Sequence, residues 1–118
     1  MYSTLMSCTQ PTTDPLPMGL LEQAADALRV LAHPHRLKIV EILLQQRLTV
    51  GQLATELRLP QAAVSGHLTQ MRAHDLLRVE REGRTAYYRI CHPAAHFIIN
   101  CLTTHRDQLS IHTNQEAS

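Results

Sequence analysis

The residues able to do chemistry in this 118-residue chain are its three cysteines and eight histidines. Thiolates and neutral imidazoles ligate borderline and soft metal ions, and thiolates are also nucleophiles and targets of oxidation. Cys8 stands near the start of the chain, whereas Cys91 and Cys101 fall toward its end. If the stretch between the latter two is helical, they lie ~15 Å apart along the axis, too far for a disulfide within one subunit. His92 and His96 would share a helix face, as would Cys101 and His105, and such i, i+4 pairs can chelate a metal ion. Each pair supplies only two ligands where a zinc site wants four. The plainer readings are a buried Cys101 packed as a small hydrophobe, and imidazoles that cap helices or face solvent. Nothing orients Cys91 and His92 as nucleophile and base. The G-x-S-x-G, Walker, H-E-x-x-H and G-x-G-x-x-G signatures are missing, and four glycines leave little for a phosphate cradle. The expectation is a protein that is not an enzyme.

A single domain must hold these residues in place. Hydrophobic residues make up 44% of the chain and charged residues 18%, with a formal net charge of +1, a globular composition without a strongly basic or acidic bias. With one Phe, three Tyr and no Trp, the core must come from Leu, Ile, Val and Ala. So few aromatic faces also disfavour a stacking platform for single-stranded nucleic acid. No stretch approaches the ~20 apolar residues that span a bilayer, so no membrane partner is expected. The first residues lack a basic segment followed by an apolar run, which points to a cytoplasmic protein with reduced thiols. Pro11, Pro15 and Pro17 deny a helix to residues 1–17, read as a flexible arm. Residues 110–118 read as a flexible polar tail, leaving 18–109 as the folded domain.

Within that domain, Leu20, Leu21, Ala24, Leu28 and Leu31 form a stripe at helical spacing from near Gly19. His33-Pro34 ends it, and Pro34 suits the first turn of a second helix buried through Leu37, Val40, Leu43 and Leu44. Thr49 and Gln52 have the spacing of a capping box opening a third helix, with Val50, Leu53, Ala54 and Leu57 inward. After the turn Arg58-Leu59-Pro60, a fourth helix runs from about Gln61 to His74 on Val64, Leu68 and Met71. Leu77–Arg81 and Thr85–Ile90 alternate about Glu82-Gly83-Arg84, as in a β-hairpin. A last helix has Pro93 in its first turn and Ile98, Cys101, Leu102 and Leu109 among its apolar positions.

This order predicts a mostly helical α+β fold, a winged helix-turn-helix with a two-stranded wing and a C-terminal dimerisation helix. The outer face of the fourth helix carries Gln61, Ala62, Ser65, Gly66, Thr69 and Gln70, short and free of acids, as entry into a major groove ~12 Å wide requires. His67 and Arg72 join these as candidate contacts to double-stranded DNA. Gln61 or Gln70 suits adenine, and Ala62 suits a thymine methyl. Arg81 and Arg84 flank Gly83 at the wing tip, suited to phosphate, with Arg78 as a further backbone contact. A solvated polar face is the bland alternative, and agreement among the joints is what argues against it.

The run from Ala27 to Val40, including His33-Pro34-His35-Arg36-Leu37, resembles the opening signature of the ArsR/SmtB family of bacterial repressors. The resemblance continues through Leu53–Leu57, Gln61–Leu68, Leu76-Leu77 and Arg81–Ile90, and covers roughly Gly19 to Gln108. Gly66 departs from it, since relatives usually carry His or Gln there. The resemblance implies a homodimer joined through its first and last helices on an imperfect palindromic operator, released by an inducer or an oxidant. Leu20, Leu21, Phe97, Ile98, Cys101 and Leu102 are then the candidate interface. Independently, one recognition helix contacts too few bases for useful specificity, and a two-fold protein on a palindrome doubles them.

Against the family's sensing sites, the C-x-C pair of the third helix is missing from Leu48–Leu53, and Glu41 stands in the region where thiol-based relatives carry a cysteine. Of the paired-helix zinc site, only His105 matches, with His92 standing in for an aspartate and His96 nearby as an uncertain ligand. Candidate thiol sensors are Cys91, Cys101 and Cys8: a Cys101 pair across the dimer, Cys8 with either of the others, or an arsenical bridging Cys91 and Cys101 across the dimer. The cofactor stays open between a metal or metalloid ion and none, with reactive thiols instead. The alternative function is a protein-interaction module or anti-repressor that keeps the fold without specific DNA binding.

Overall fold

The computed structural model describes residues 14–109. The expectations for Cys8, for most of the N-terminal arm and for the tail lie outside these residues. Asp14 to Pro17 are exposed and non-helical. Helix α1 (Met18–Leu31) opens on the extended Pro17, whose carbonyl accepts from the Leu20 and Leu21 amides at 3.1 and 3.2 Å. α2 (Pro34–Gln45) starts with proline in its first turn, where a missing N–H costs no hydrogen bond. His33 caps it, its Nδ1 accepting from the His35 amide at 3.1 Å.

The capping box of α3 (Val50–Leu57) is complete: Thr49 Oγ1 accepts from the Gln52 amide at 3.1 Å, and Gln52 Oε1 from the Thr49 amide at 2.9 Å. α4 (Gln61–Ala73) follows after three residues and leads into β1 (Leu77–Glu82) and β2 (Thr85–Ile90). These pair antiparallel from Leu77 with Ile90 to Glu82 with Thr85. Leu48 extends the sheet by one bridge, its carbonyl accepting from the Tyr88 amide at 2.8 Å. The hairpin therefore rests on the loop between α2 and α3.

The core lies where α1 to α5 and the root of the wing converge, with Leu31, Ile39, Val40, Leu53, Val64, Leu68, Met71 and Leu76 fully buried. Two expectations are corrected. The stripe on α1 splits: Ala27, Val30 and Leu31 enter the core, while Leu20, Leu21 and Leu28 stay exposed. The helix has a second apolar face that its own protomer does not cover. The last helix also does not run through to Leu109. α5 (Pro93–Thr104) stops at His105, whose backbone leaves helical geometry, and a four-residue turn α6 (Arg106–Leu109) follows.

Candidate nucleic-acid interface

The geometry of α4 is set by the turn before it. Arg58 adopts a left-handed backbone with φ 57°, and the Leu59 amide returns to the Ala54 carbonyl at 3.1 Å, closing α3 and redirecting the chain in three residues. Val64, Leu68 and Met71 then face the core. At 100° per residue, Ala62, Ser65, Gly66, Thr69 and Gln70 fall on the opposite side, and each is exposed. A Cβ added to Gly66 would meet nothing within 4 Å, so this stretch of the face is open backbone. Thr69 Oγ1 donates to the Ser65 carbonyl at 2.8 Å, which leaves the hydroxyl free to accept. Gln61 sits at the edge of the row, its Oε1 3.7 Å from where a Gly51 side chain would begin, against the start of α3. Arg72 is exposed on the same edge, in the last turn of the helix.

His67 does not join the outward row. Its half-buried ring turns toward the α1–α2 junction, where Nδ1 accepts from Arg36 Nε at 3.1 Å. Arg36 also donates through Nη1 to the Val30 carbonyl at 3.1 Å, so one guanidinium ties the end of α1, the start of α2 and the middle of α4 together. The His67 ring meets His33 edge-on at 4.6 Å between centroids, with His35 at 5.8 Å. Burial, then the nearby His33, Arg36 and His35, hold the His67 imidazole below its ordinary value and so favour the neutral ring. One ring nitrogen from each of these three histidines lies within 4.8 Å of the others. The sequence reading missed this cluster because it pairs residues far apart in the chain.

The wing turns on Gly83, whose φ of 64° at the first of two central positions gives the hairpin twist matching its strands. Arg81 and Arg84 are exposed at this tip, and Arg78 is exposed nearer the root. Among the described residues none of them makes an ion pair within the chain. The wing's acids, by contrast, are occupied. Arg47 reaches Glu80 at 3.2 Å and Glu82 at 2.6 Å while lying over the Tyr87 ring at 4.3 Å, and Arg89 reaches Glu80 at 3.4 Å. The hydrogen bond to Glu82 is the largest of the effects that raise the Arg47 pKa above its ordinary value. This clasp was not read from the sequence; it neutralises the carboxylates that would repel phosphate beside the free arginines.

Among the described residues, those expected from the sequence to sense are not gathered into one site. Cys91 and Cys101 are free and exposed, which corrects the expectation of a buried Cys101. The Cys91 thiol donates to the Asp75 carbonyl at 3.4 Å. His92 is the extended cap of α5, its Nδ1 accepting from the Ala94 amide at 3.0 Å, so it does not share a helix face with His96. His105 caps the other end of α5. Among the described residues no three of Cys91, His92, His96, Cys101 and His105 bring ligand atoms together. Glu41 pairs with Lys38 at 2.8 Å beside an open groove of about 520 Å³ between α2 and α5. Of the candidate interface residues, Leu20, Leu21, Phe97 and Leu102 are exposed, with Phe97 at 73%, while Ile98 is half-buried against the core.

Comparison with known proteins accords with this arrangement. Residues 33–79 match the profile of the bacterial regulatory protein, arsR family. The chain is 45% identical over 83 residues to the transcriptional repressor PagR of Bacillus anthracis, covering 70% of this chain and 83% of that protein. The PagR crystal structure superposes with a TM-score of 0.67 over 73% of this chain and 99% of that one. The transcriptional activator HlyU of Vibrio cholerae is 35% identical over 80 residues, 63% of this chain and 74% of HlyU. The homodimeric winged helix-turn-helix DNA-binding domain of Mb0332 from Mycobacterium bovis, 25% identical, superposes with a TM-score of 0.70 over 84% of this chain and 94% of that one. Among the described residues no helix is long and apolar enough to cross a membrane. Shared over most of the length of PagR, the sequence and its winged fold make this chain a member of the arsR family of bacterial regulatory proteins, a regulator of transcription and not an enzyme.

Proposed function

We propose that the chain acts as a homodimeric repressor that inserts α4 of each protomer into successive major grooves of an imperfect palindromic operator. The observation that carries the proposal is the outward row of α4, exposed, free of acids and open at Gly66, flanked by arginines that make no ion pair among the described residues. Gln70 and Ala62 are the candidates for base edges, suiting adenine and a thymine methyl. Ser65 and Thr69 supply adaptable hydroxyls. Arg72, Arg78, Arg81 and Arg84 take phosphates and fix the register. His67 acts indirectly, holding α4 through Arg36.

Dimerisation is supported by the exposed Leu20, Leu21 and Leu28 on α1 and Phe97 and Leu102 on α5, apolar side chains concentrated on two helices. The homodimeric Mb0332 domain supports the same assembly. Repression is the sign carried by PagR, while HlyU carries the opposite one. Release follows binding of an inducer or modification of the exposed thiols Cys91 and Cys101.

The test is fluorescence anisotropy with DNA from upstream of the gene and with random DNA, at two salt concentrations. Tighter binding to the upstream DNA, weakening steeply as salt rises, is the expected result. Equal affinity for both DNAs would leave a protein-interaction module in place of a regulator that reads sequence.

A further inference from the structure

We propose that His33, His35 and His67 form a binding site for a divalent transition-metal ion, one per protomer, at the joint between the α1–α2 turn and α4. The three rings come from two separate parts of the chain and bring one nitrogen each to within 4.8 Å of the others. Nitrogens held at ~2.1 Å from a tetrahedral zinc stand roughly 3.4 Å apart, so modest side-chain rotation closes the set. His35 is exposed and has room to make that rotation, while His33 and His67 are half-buried and fix the site's floor.

The donor set selects the class of ion. Three imidazoles without carboxylate or thiolate suit zinc, nickel, cobalt or copper; calcium and magnesium want oxygen ligands. The exposed side leaves a coordination position for water, as in zinc sites with three protein ligands.

Loading must also change how the protein is held together. In this structure, Nδ1 of His33 accepts from the His35 amide and Nδ1 of His67 accepts from Arg36 Nε. In a neutral ring whose Nδ1 accepts, the proton sits on Nε2. An ion can take Nδ1 by displacing the N–H donor. Alternatively it takes Nε2 after the proton moves to Nδ1, which then no longer accepts. Either route exchanges the cap of α2 and the Arg36–His67 hydrogen bond for bonds to the ion. Metal occupancy and the present fixing of α4 are therefore alternatives.

The site is tested on the full-length chain, stripped with chelator and titrated with Co(II) alone, then with Zn(II) in competition. One Co(II) per protomer with visible ligand-field absorption is expected, displaced by zinc. His35→Gln, at an exposed position, should lower the affinity at least tenfold without loss of helical signal. His96→Gln and His105→Gln should leave it unchanged. In the wild-type protein, zinc should shift the ring nitrogens of His33, His35 and His67 in long-range ¹H–¹⁵N spectra. Absence of Co(II) binding, equal affinity in His35→Gln, or loss that instead follows His96 or His105 would each overturn the site. None of these readouts involves DNA, so the result stands apart from the regulator proposal.

Discussion

Arg36, on α2, adds a polar tie to the apolar packing that holds α4. It is half-buried and divides its guanidinium between the His67 ring and the Val30 carbonyl. Replacing it with alanine strands two partly buried acceptors, and urea denaturation should show a loss of about 1–3 kcal/mol. DNA affinity should fall as well, without any direct contact having been removed. The neutral His67 ring adds a pH dependence. Because its folded pKa lies below the ordinary imidazole value near 6.5, the unfolded chain binds the proton more readily. In chelator-treated protein, stability should be level above about pH 6.5 and decline as the pH drops below it. The decline should be shallower in His67→Gln, measured by denaturation at a series of pH values. The sequence shows His67 only as a polar residue on α4, which places it with the candidate DNA contacts. Its position, three residues after the buried Val64, sets it on the edge of the inward side. What it meets there depends on residues more than thirty positions earlier, which no local pattern displays.

At the scale of elements, the joints were the most legible part of the chain. His33-Pro34, the Thr49/Gln52 box, Arg58-Leu59-Pro60 and Gly83 each have short-range chemistry that fixes a boundary, and each boundary appears where that chemistry puts it. Helical periodicity was a weaker guide. It assigned the α1 stripe to a single face and carried the last helix through His105, because apolar spacing does not say which side of a helix has a partner. The Arg47 clasp was hidden for the same reason as the histidine cluster, since Glu80 and Glu82 lie over thirty residues away. With the wing's acids occupied, the tip arginines remain available. Arg84→Ala should weaken binding to all DNA sequences nearly equally and reduce the slope of log affinity against log salt by about one. A change in sequence preference instead would mean that the wing reads bases.

For the molecule as a whole, the core residues foreseen on α2, α3 and α4 are buried or half-buried, so the hydrophobic pattern carried the architecture. What it left undetermined is the apolar surface on α1 and α5. Phe97 is 73% exposed in the single protomer. Placing a charge there by Phe97→Glu should leave the circular dichroism spectrum intact and shift the species seen by analytical ultracentrifugation from dimer to monomer. Retention of a full dimer would locate the interface elsewhere. Gly66 bears on the same separation of fold from assembly. Glycine inside a helix disfavours it by roughly 0.5–1 kcal/mol relative to alanine, and no neighbour in this protein would be crowded by a methyl group at that position. Gly66→Ala should accordingly melt at a higher temperature, while differential scanning calorimetry and operator titrations on the same variant diverge, with the tighter-folded protein gripping its duplex less well. A domain that forgoes helical stability where its own packing imposes no such sacrifice keeps one exposed slot on α4 whose occupant can be exchanged by single substitutions that the scaffold barely registers.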